Sequence, residues 1–473
     1  MFAKIRQILL TTICFCILAQ TVWAAPDSPV LQKVRHHASG DTVRVVLDMS
    51  DPVSYTATQQ DDLFSVIVEL DKATIQSGIR SQAINDPAVS AVQFVNTVAD
   101  KKAQVVIDCR QPVTYKIFTL ANPHRIVIDI TTLKEKKIEQ EIASGIRYTS
   151  WYMPGKAGPL NIHILDISPQ SDYTLEPMLV RQNVLGIDPL SHVLLRSEVL
   201  AAVNASYFAP NGDIIGLLKM DDEVISSTNL ARTALGMAAD GKMLIDQVNY
   251  QGVAEFPGEI KLPLSGVNES RGENGLILYN RFWGPTTNTN SYGLECTIVA
   301  GAVAAIQPGN STIPANGYVL SAHGETAQKL AGLKIGDSVQ ALQTLGPVWD
   351  QTLHAIGAGP MLVKQGNVFV TTKLEEFGSD VAGGRAPRTA VGLTQDGRIL
   401  LVVVDGRQAL SKGMSLLELA LFMREQGAVN AMNLDGGGSS EMIVKGRIVN
   451  KPSDGKERRV GNALAVVPRK LAI

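Results

Sequence analysis

Four stretches gather acids, arginines and hydroxyls among glycines: VNASYFAPNGDIIG from Val203, VVVDGRQ from Val402, MNLDGGGSSEMIV from Met432 and KPSDGKERRVGNAL from Lys451. The consecutive Gly436, Gly437 and Gly438 have no packing role. Such a run permits unusual backbone angles and lets several N–H groups converge on an anion as a nest. Ser439 and Ser440 add hydroxyl donors. Asp405, Gly406 and Arg407 end an apolar strand, where a loop can approach a ligand closely. Arg388 heads the apolar stretch RTAVGLTQDGRILL. Burying a guanidinium is costly unless an anion meets it, so Arg388 is expected to face a carboxylate or a substrate phosphate. The chemistry this points to is a site of acids and arginines around a glycine nest.

Other chemistries lack their residues. There is no G-x-S-x-G elbow, so an α/β-hydrolase serine is not expected. The seven histidines form no H-E-x-x-H or i, i+4 pair, and no metal or other cofactor is expected. The glycine run lacks the Lys-Ser/Thr ending of a phosphate-binding P-loop. A net charge of −2 without a basic block argues against a nucleic-acid partner.

The elements that position these residues are mostly strands. RTALGMAADGKMLI from Arg232 repeats as RTAVGLTQDGRILL from Arg388, each an Arg-Thr-headed strand, an Asp-Gly turn and a return strand. Related hairpins precede them, LLKMDDEVI from Leu217 and MLVKQGNVFV from Met361. MIVKGRIV from Met442, followed by RRVGNALAVV from Arg458, is a candidate third copy. Three helices are expected. The best runs from Ser415 to Gln426, with Ser415 and Glu418 as a capping box and Gly427 as a left-handed stop. The others are Leu190 to Val199 and Thr326 to Leu333.

Upstream lies a different repeat. Residues 43–70 and 103–130 align without a gap at an offset of 60, matching Asp48 with Asp108, Pro52 with Pro112 and Tyr55 with Tyr115. Alternating apolar residues at each end read as half-buried strands. The fold class expected is therefore α+β: a small N-terminal β-sandwich, then a larger mixed α/β domain built from repeated β-hairpins with a few packed helices. Lys4 and Arg6 before an apolar run, with Val22-Trp23-Ala24 after it, read as a secretory signal peptide over 1–24. No membrane span is expected after its removal. The domains expected are 30–131, a linker over 132–145 (its charged part, Lys134 to Glu141, a linker or short solvated helix), and 146–473. Of the four cysteines, Cys109 and Cys296 remain after cleavage and read as buried thiols.

Residues 30–131 resemble the AMIN domain, which implies targeting to the cell envelope, with peptidoglycan as a partner. VNASYF, GAGPMLV, APRTAVGL, VVVDGR, MNLDGGGSSEM and PSDGKERRVGNAL, in this order, resemble the phosphodiester glycosidase domain. Ala205 and Ser206 stand where that family shows two glycines, a departure that bears on backbone approach and on the substrate. The resemblance implies an exported hydrolase of the periplasm or cell envelope, cleaving the glycosidic C–O bond of a sugar-1-phosphodiester in envelope glycans or exopolysaccharide. It implies that Arg388, Arg407 and the loop Gly436–Ser440 neutralise the phosphate. A carboxylate then acts on the sugar, with Asp435 and Asp405 as candidates and Glu441 and Asp454 behind them. Asn204 and Ser453 are expected to bind sugar hydroxyls. A second reading from a different class is a non-catalytic binder of phosphate-bearing wall or exopolysaccharide glycans.

Overall fold

The computed structural model describes residues 28–59, 64–86, 88–97, 102–154, 157–196, 198–228 and 230–469. The expected signal peptide lies outside them. The described chain divides into two compact units, with the main changeover between Thr131 and Thr132.

The N-terminal unit is built from strands alone, in two five-stranded sheets. The 28-residue repeat explains how. The first strand of each copy pairs antiparallel with the last strand of the other, so Asp48 stands opposite Arg125 and Asp108 opposite Ser65. The offset of 60 that relates the copies in sequence thus relates the two ladders as well. Side-chain partnerships follow: Arg44 binds Asp129 at 2.7 Å on one ladder, and Gln104 donates to Glu69 at 3.4 Å on the other. Alternate residues, Val43, Val45 and Leu47 or Val66, Val68 and Leu70, are buried, as the period of two requires.

Three sheets of the second unit share one plan. Each holds a short hairpin, then a crossing strand, then a long strand with its partner. The crossing strands are Ala201–Asn204, Thr352–Gly357 and Ala428–Asn433, and their last residues face Ala463, Ala234 and Ala390 on the long strands. Each crossing strand then leads into the hairpin of the next sheet: 218–226, 361–368 and 442–448. Both Arg-Thr hairpins form, as does the third short hairpin, 442–448; at the head of the long strand after it, Gly461 and Asn462 stand in for Arg-Thr. Between the first and second repeats, residues 251–344 add a three-stranded and a five-stranded sheet.

Helix is scarcer than the mixed α/β expectation. Among the described residues the α-helices are Leu416–Glu425, Gly324–Lys329 and Ser379–Ala382. The first has its Ser415–Glu418 capping box, and Gly427 follows with φ +95°. The stretch from Leu190 gives a 3₁₀ turn, Leu190–Leu195, in place of the expected helix; Pro189 precedes it and no side chain caps its start. Lys134 to Glu141 is neither helix nor free linker: Lys136–Ala143 is the edge strand of the eight-stranded sheet, paired with Ile146–Met153. Its charged side chains are what an edge strand carries to discourage foreign pairing. Cys109 and Cys296 are buried and not joined in a disulfide. Among the described residues, no helix is long and apolar enough to cross a membrane.

The edge strand sets where the second unit can be cut. A chain beginning at Thr132 is expected to melt as one cooperative unit. A chain beginning at Ser144 removes the edge strand, leaves one side of Ile146–Met153 unpaired and should melt several degrees lower. Equal melting temperatures would show that the strand contributes nothing.

Candidate functional site

The ends of the three crossing strands converge, and their loops are knitted by backbone groups. Asp435 N–H donates to Ala205 O at 2.7 Å, and Gly359 N–H to Asn433 O at 3.0 Å. Two asparagines close the junction. Asn204 Nδ2 donates to Asp435 O at 2.6 Å, while its Oδ1 accepts from Thr389 Oγ1 and Glu441 N. Asn433 Nδ2 donates to Tyr207 Oη and Gly359 O, and the Tyr207 hydroxyl donates to Gly359 O. Over this junction lies a pocket of about 190 Å³ bordered by Tyr207, Asp380, Arg388, Arg407, Asp435 and Arg458. It adjoins an outer cleft of about 760 Å³, which Tyr207, Asp380, Asp435 and Arg458 also line.

Arg388 is buried, yet no carboxylate meets it among the described residues. Its guanidinium donates to the carbonyls of Met414, Val381 and Gly384 instead. Carbonyl dipoles satisfy the N–H groups without cancelling the charge, so the pocket keeps a net cation. Burial, with Arg407 nearby, holds the Arg388 pKa below the ordinary guanidinium range. Arg407 has φ +58°, a left-handed conformation that a non-glycine residue adopts at a cost. Arg458 is held by Asp454 at 2.6 Å.

The glycine run serves these arginines. A Cβ on Gly438 would fall 2.0 Å from Arg458 Nη2, and one on Gly437 would sit 3.5 Å from the Arg407 nitrogens. Gly438 makes room for the Arg458 guanidinium, whereas Gly437 meets Arg407 at ordinary contact distance and is called for by its left-handed backbone, φ +61°. The expected nest does not form as such: the N–H groups of Gly436, Gly437, Ser439 and Ser440 are engaged by Asp435 Oδ1, Pro387 O, Gly436 O and Gly437 O.

The four candidate carboxylates separate by environment. Asp435 lies at the cleft floor, accepting from Gly436 N at 2.8 Å. Burial lifts its pKa to about 6, against the opposing hydrogen bond from Ser439. Asp405 is buried and borders neither cavity: its Oδ1 accepts from Asn450 Nδ2 and Lys451 N, and Oδ2 sits 3.8 Å from His163 Nε2. Glu441 is buried beside Glu457, and burial together with that neighbouring carboxylate lifts its pKa to about 8. Asp454 is exposed and tied to Arg458. Asn204 is fully buried with both amide heavy atoms engaged in holding the junction, so its side chain is a clamp without access to a sugar hydroxyl. The Ser440 and Ser453 hydroxyls are buried without a partner among the described residues. No cluster of three or more metal-ligating side chains occurs among the described residues.

Tyr207, Asp380 and Arg458 border the pocket without having been singled out from sequence. Tyr207 and Arg458 sit inside motifs already quoted, as residues between glycines and asparagines. Asp380 follows Gly378 in a glycine-rich stretch, FGSDVAGG, whose only signal was that composition.

Comparison with known proteins places this site in context. Residues 292–467 match the family model for phosphodiester glycosidase, and residues 94–144 match the AMIN domain. Both resemblances read from the motifs are borne out by these matches. The chain is 36% identical over 102 residues to the N-acetylglucosamine-1-phosphodiester alpha-N-acetylglucosaminidase of Mus musculus, an alignment covering 20% of each chain. Alignments with the first curated relatives span only 12% to 20% of those proteins. Two solved structures share the fold. One, from Synechocystis, has a TM-score of 0.66 at 23% identity over 94% of this chain and 81% of its own. The other, from Burkholderia pseudomallei K96243, has a TM-score of 0.58 at 20% identity over 88% and 97%.

The raised pKa of Asp435 has a sign that can be measured. The folded protein holds this proton more tightly than the unfolded chain, whose value is near 3.8. The stabilisation is therefore full below about pH 4 and is lost as pH rises through about 6. Asp435→Asn cannot ionise, so it should melt above the parent protein at pH 8, by on the order of 2 kcal/mol. The gap should close towards pH 4. A variant less stable at pH 8 would make Asp435 a structural cap.

Proposed function

We propose that the second unit hydrolyses the glycosidic C–O bond of a sugar-1-phosphodiester, with envelope glycans or exopolysaccharide as its source of substrate. The observation that carries this reading is an acid with a raised pKa, Asp435, in a pocket that it borders together with Asp380 and the cations Arg388, Arg407 and Arg458. Among the described residues Arg388 meets carbonyls only, and the one ion pair of the three arginines, Arg458 with Asp454, is at an exposed position. A phosphodiester seated there brings its negative charge to the arginines and its anomeric carbon towards Asp435.

Phosphate is a good leaving group once its developing charge is held by donors already in position, so a strong general acid is dispensable. The C1–O bond breaks with its electron pair going to the phosphate oxygen. Asp435, ionised, attacks C1 or takes a proton from the water that does, through an oxocarbenium-like transition state. The hydroxyl of water ends on the sugar and the phosphate departs as a monoester. Glu441, carrying its proton at neutral pH, is unsuited to that attack. The AMIN-like unit would hold the enzyme at peptidoglycan in the periplasm or cell envelope, following export by the leader.

An N-acetylglucosamine-1-phosphate ester is the first substrate to test, given the activity named for the mouse relative. Hydrolysis in ¹⁸O-labelled water should put the label on the sugar. Label found only in phosphate would replace the glycosidase by a phosphodiesterase, and binding without turnover would favour a glycan-binding module. Asp435→Asn should lower kcat by at least about 100-fold, the low end for a positioned acid–base group. The rate of the parent protein should rise with pH through about 6, where Asp435 ionises.

A further inference from the structure

Two short ribbons frame the outer cleft. In one, Tyr207–Phe208 pairs with Ile214–Ile215, and Tyr207 stands directly opposite Ile215. Opposed residues share a face of the ribbon, so Ile215 lies on the side of Tyr207, which borders the phosphate pocket. In the other, Asp188–Pro189 pairs with Arg459–Val460, with Pro189 opposite Arg459. Ile187, Pro189, Phe208, Pro210 and Ile215 line the same cleft as Asp435 and Arg458. Ile215 is 47% exposed. The cationic pocket therefore opens onto a wall of branched aliphatic and proline surface on one side, while Asp380, Ser439, Asp454, Lys456, Glu457 and Arg459 line the rest of the same cleft.

Such a wall at the mouth of an anion site has a specific complement. A polyol or sugar on the far side of the phosphate would lose water from its hydroxyls against Ile187, Pro189 and Ile215 and gain no donors or acceptors there. An apolar alcohol would leave water at a gain. We infer that the alcohol esterified to the phosphate is apolar, so that the substrate class is a lipid-alcohol sugar-1-phosphodiester. Its phosphate sits among Arg388, Arg407 and Arg458, its chain along Ile187, Pro189 and Ile215, and its sugar over Asp435. This rests on the proposed glycosidase reading for the sugar; the fit of an alkyl phosphate does not.

The test is therefore a binding measurement that needs no turnover. Methyl phosphate and octyl phosphate, the latter below its micelle concentration, are titrated into the full protein by calorimetry. A fully buried methylene is worth about fourfold in affinity, so even an open wall should make octyl phosphate at least about tenfold tighter. Ile215→Ser, at an exposed position, should remove most of that preference and leave methyl phosphate binding unchanged. Equal affinities in the parent protein overturn the inference, as does a preference that Ile215→Ser does not touch. Turnover of matched methyl and octyl esters of N-acetylglucosamine-1-phosphate reads the glycosidase proposal separately. If neither is hydrolysed but octyl phosphate still binds better, the activity fails and the apolar subsite stands.

Discussion

The Asn204 carboxamide ties together parts of the chain that are far apart in sequence. Its Nδ2 holds the carbonyl of Asp435, and its Oδ1 receives the Thr389 hydroxyl and the Glu441 N–H. One side chain thereby fixes the acid at the cleft floor, the residue next to Arg388, and the exit of the glycine loop. Only a carboxamide can donate on one edge and accept twice on the other. Asn204 is fully buried, so an apolar replacement would strand its three partners, each at about 1–3 kcal/mol. The clamp sits where the three crossing strands end, which is why a site can exist at their junction at all.

Around that clamp the electrostatics are set by how Arg388 is satisfied. Three carbonyls give its N–H groups acceptors but no formal counter-charge. An ion pair would have neutralised the pocket. Carbonyl solvation leaves it electropositive and fixed in place, which is the preorganisation that the proposed transfer of charge to a phosphate would need. The same burial acts on the acids in the opposite sense, lifting Asp435 to about 6 and Glu441 to about 8. Desolvation outranks the nearby arginines at Asp435, and the hydrogen bonds from Ser439 and Gly436 oppose it more than Arg458 does.

Much of this fold was legible because it repeats. The 60-residue offset and the Arg-Thr hairpins are patterns of alternation and turn chemistry, and local residues determine both. What sequence could not carry is who meets whom. Arg388 was rightly singled out as a buried cation, but its acceptors are carbonyls of Met414, Val381 and Gly384, and carbonyls look alike in every sequence. The glycine run was rightly read as required, but for the wrong guest: the space at Gly438 is taken by Arg458. Lys136–Ala143 reads as solvated because an edge strand with one bare side is charged for the same reason a linker is.

The carboxylates illustrate the limit most sharply, since four of them sit in or beside the distinctive motifs. Asp405 has a carboxylate committed to Asn450 and Lys451, and its own strand leads into Gly406 and Arg407. It therefore braces two loops, one bearing Arg407 and one leading to Arg458, from a position that borders neither cavity. Glu441 keeps its proton beside Glu457, and Asp454 is occupied by Arg458. Asp435 alone among the four combines a raised pKa with a place on both the inner pocket and the outer cleft. Asp435 is buried enough to hold its proton more tightly than a free carboxylate, yet it borders open cleft. That asymmetry, produced by depth and by the clamp on its own carbonyl, is what distinguishes Asp435 from its neighbours.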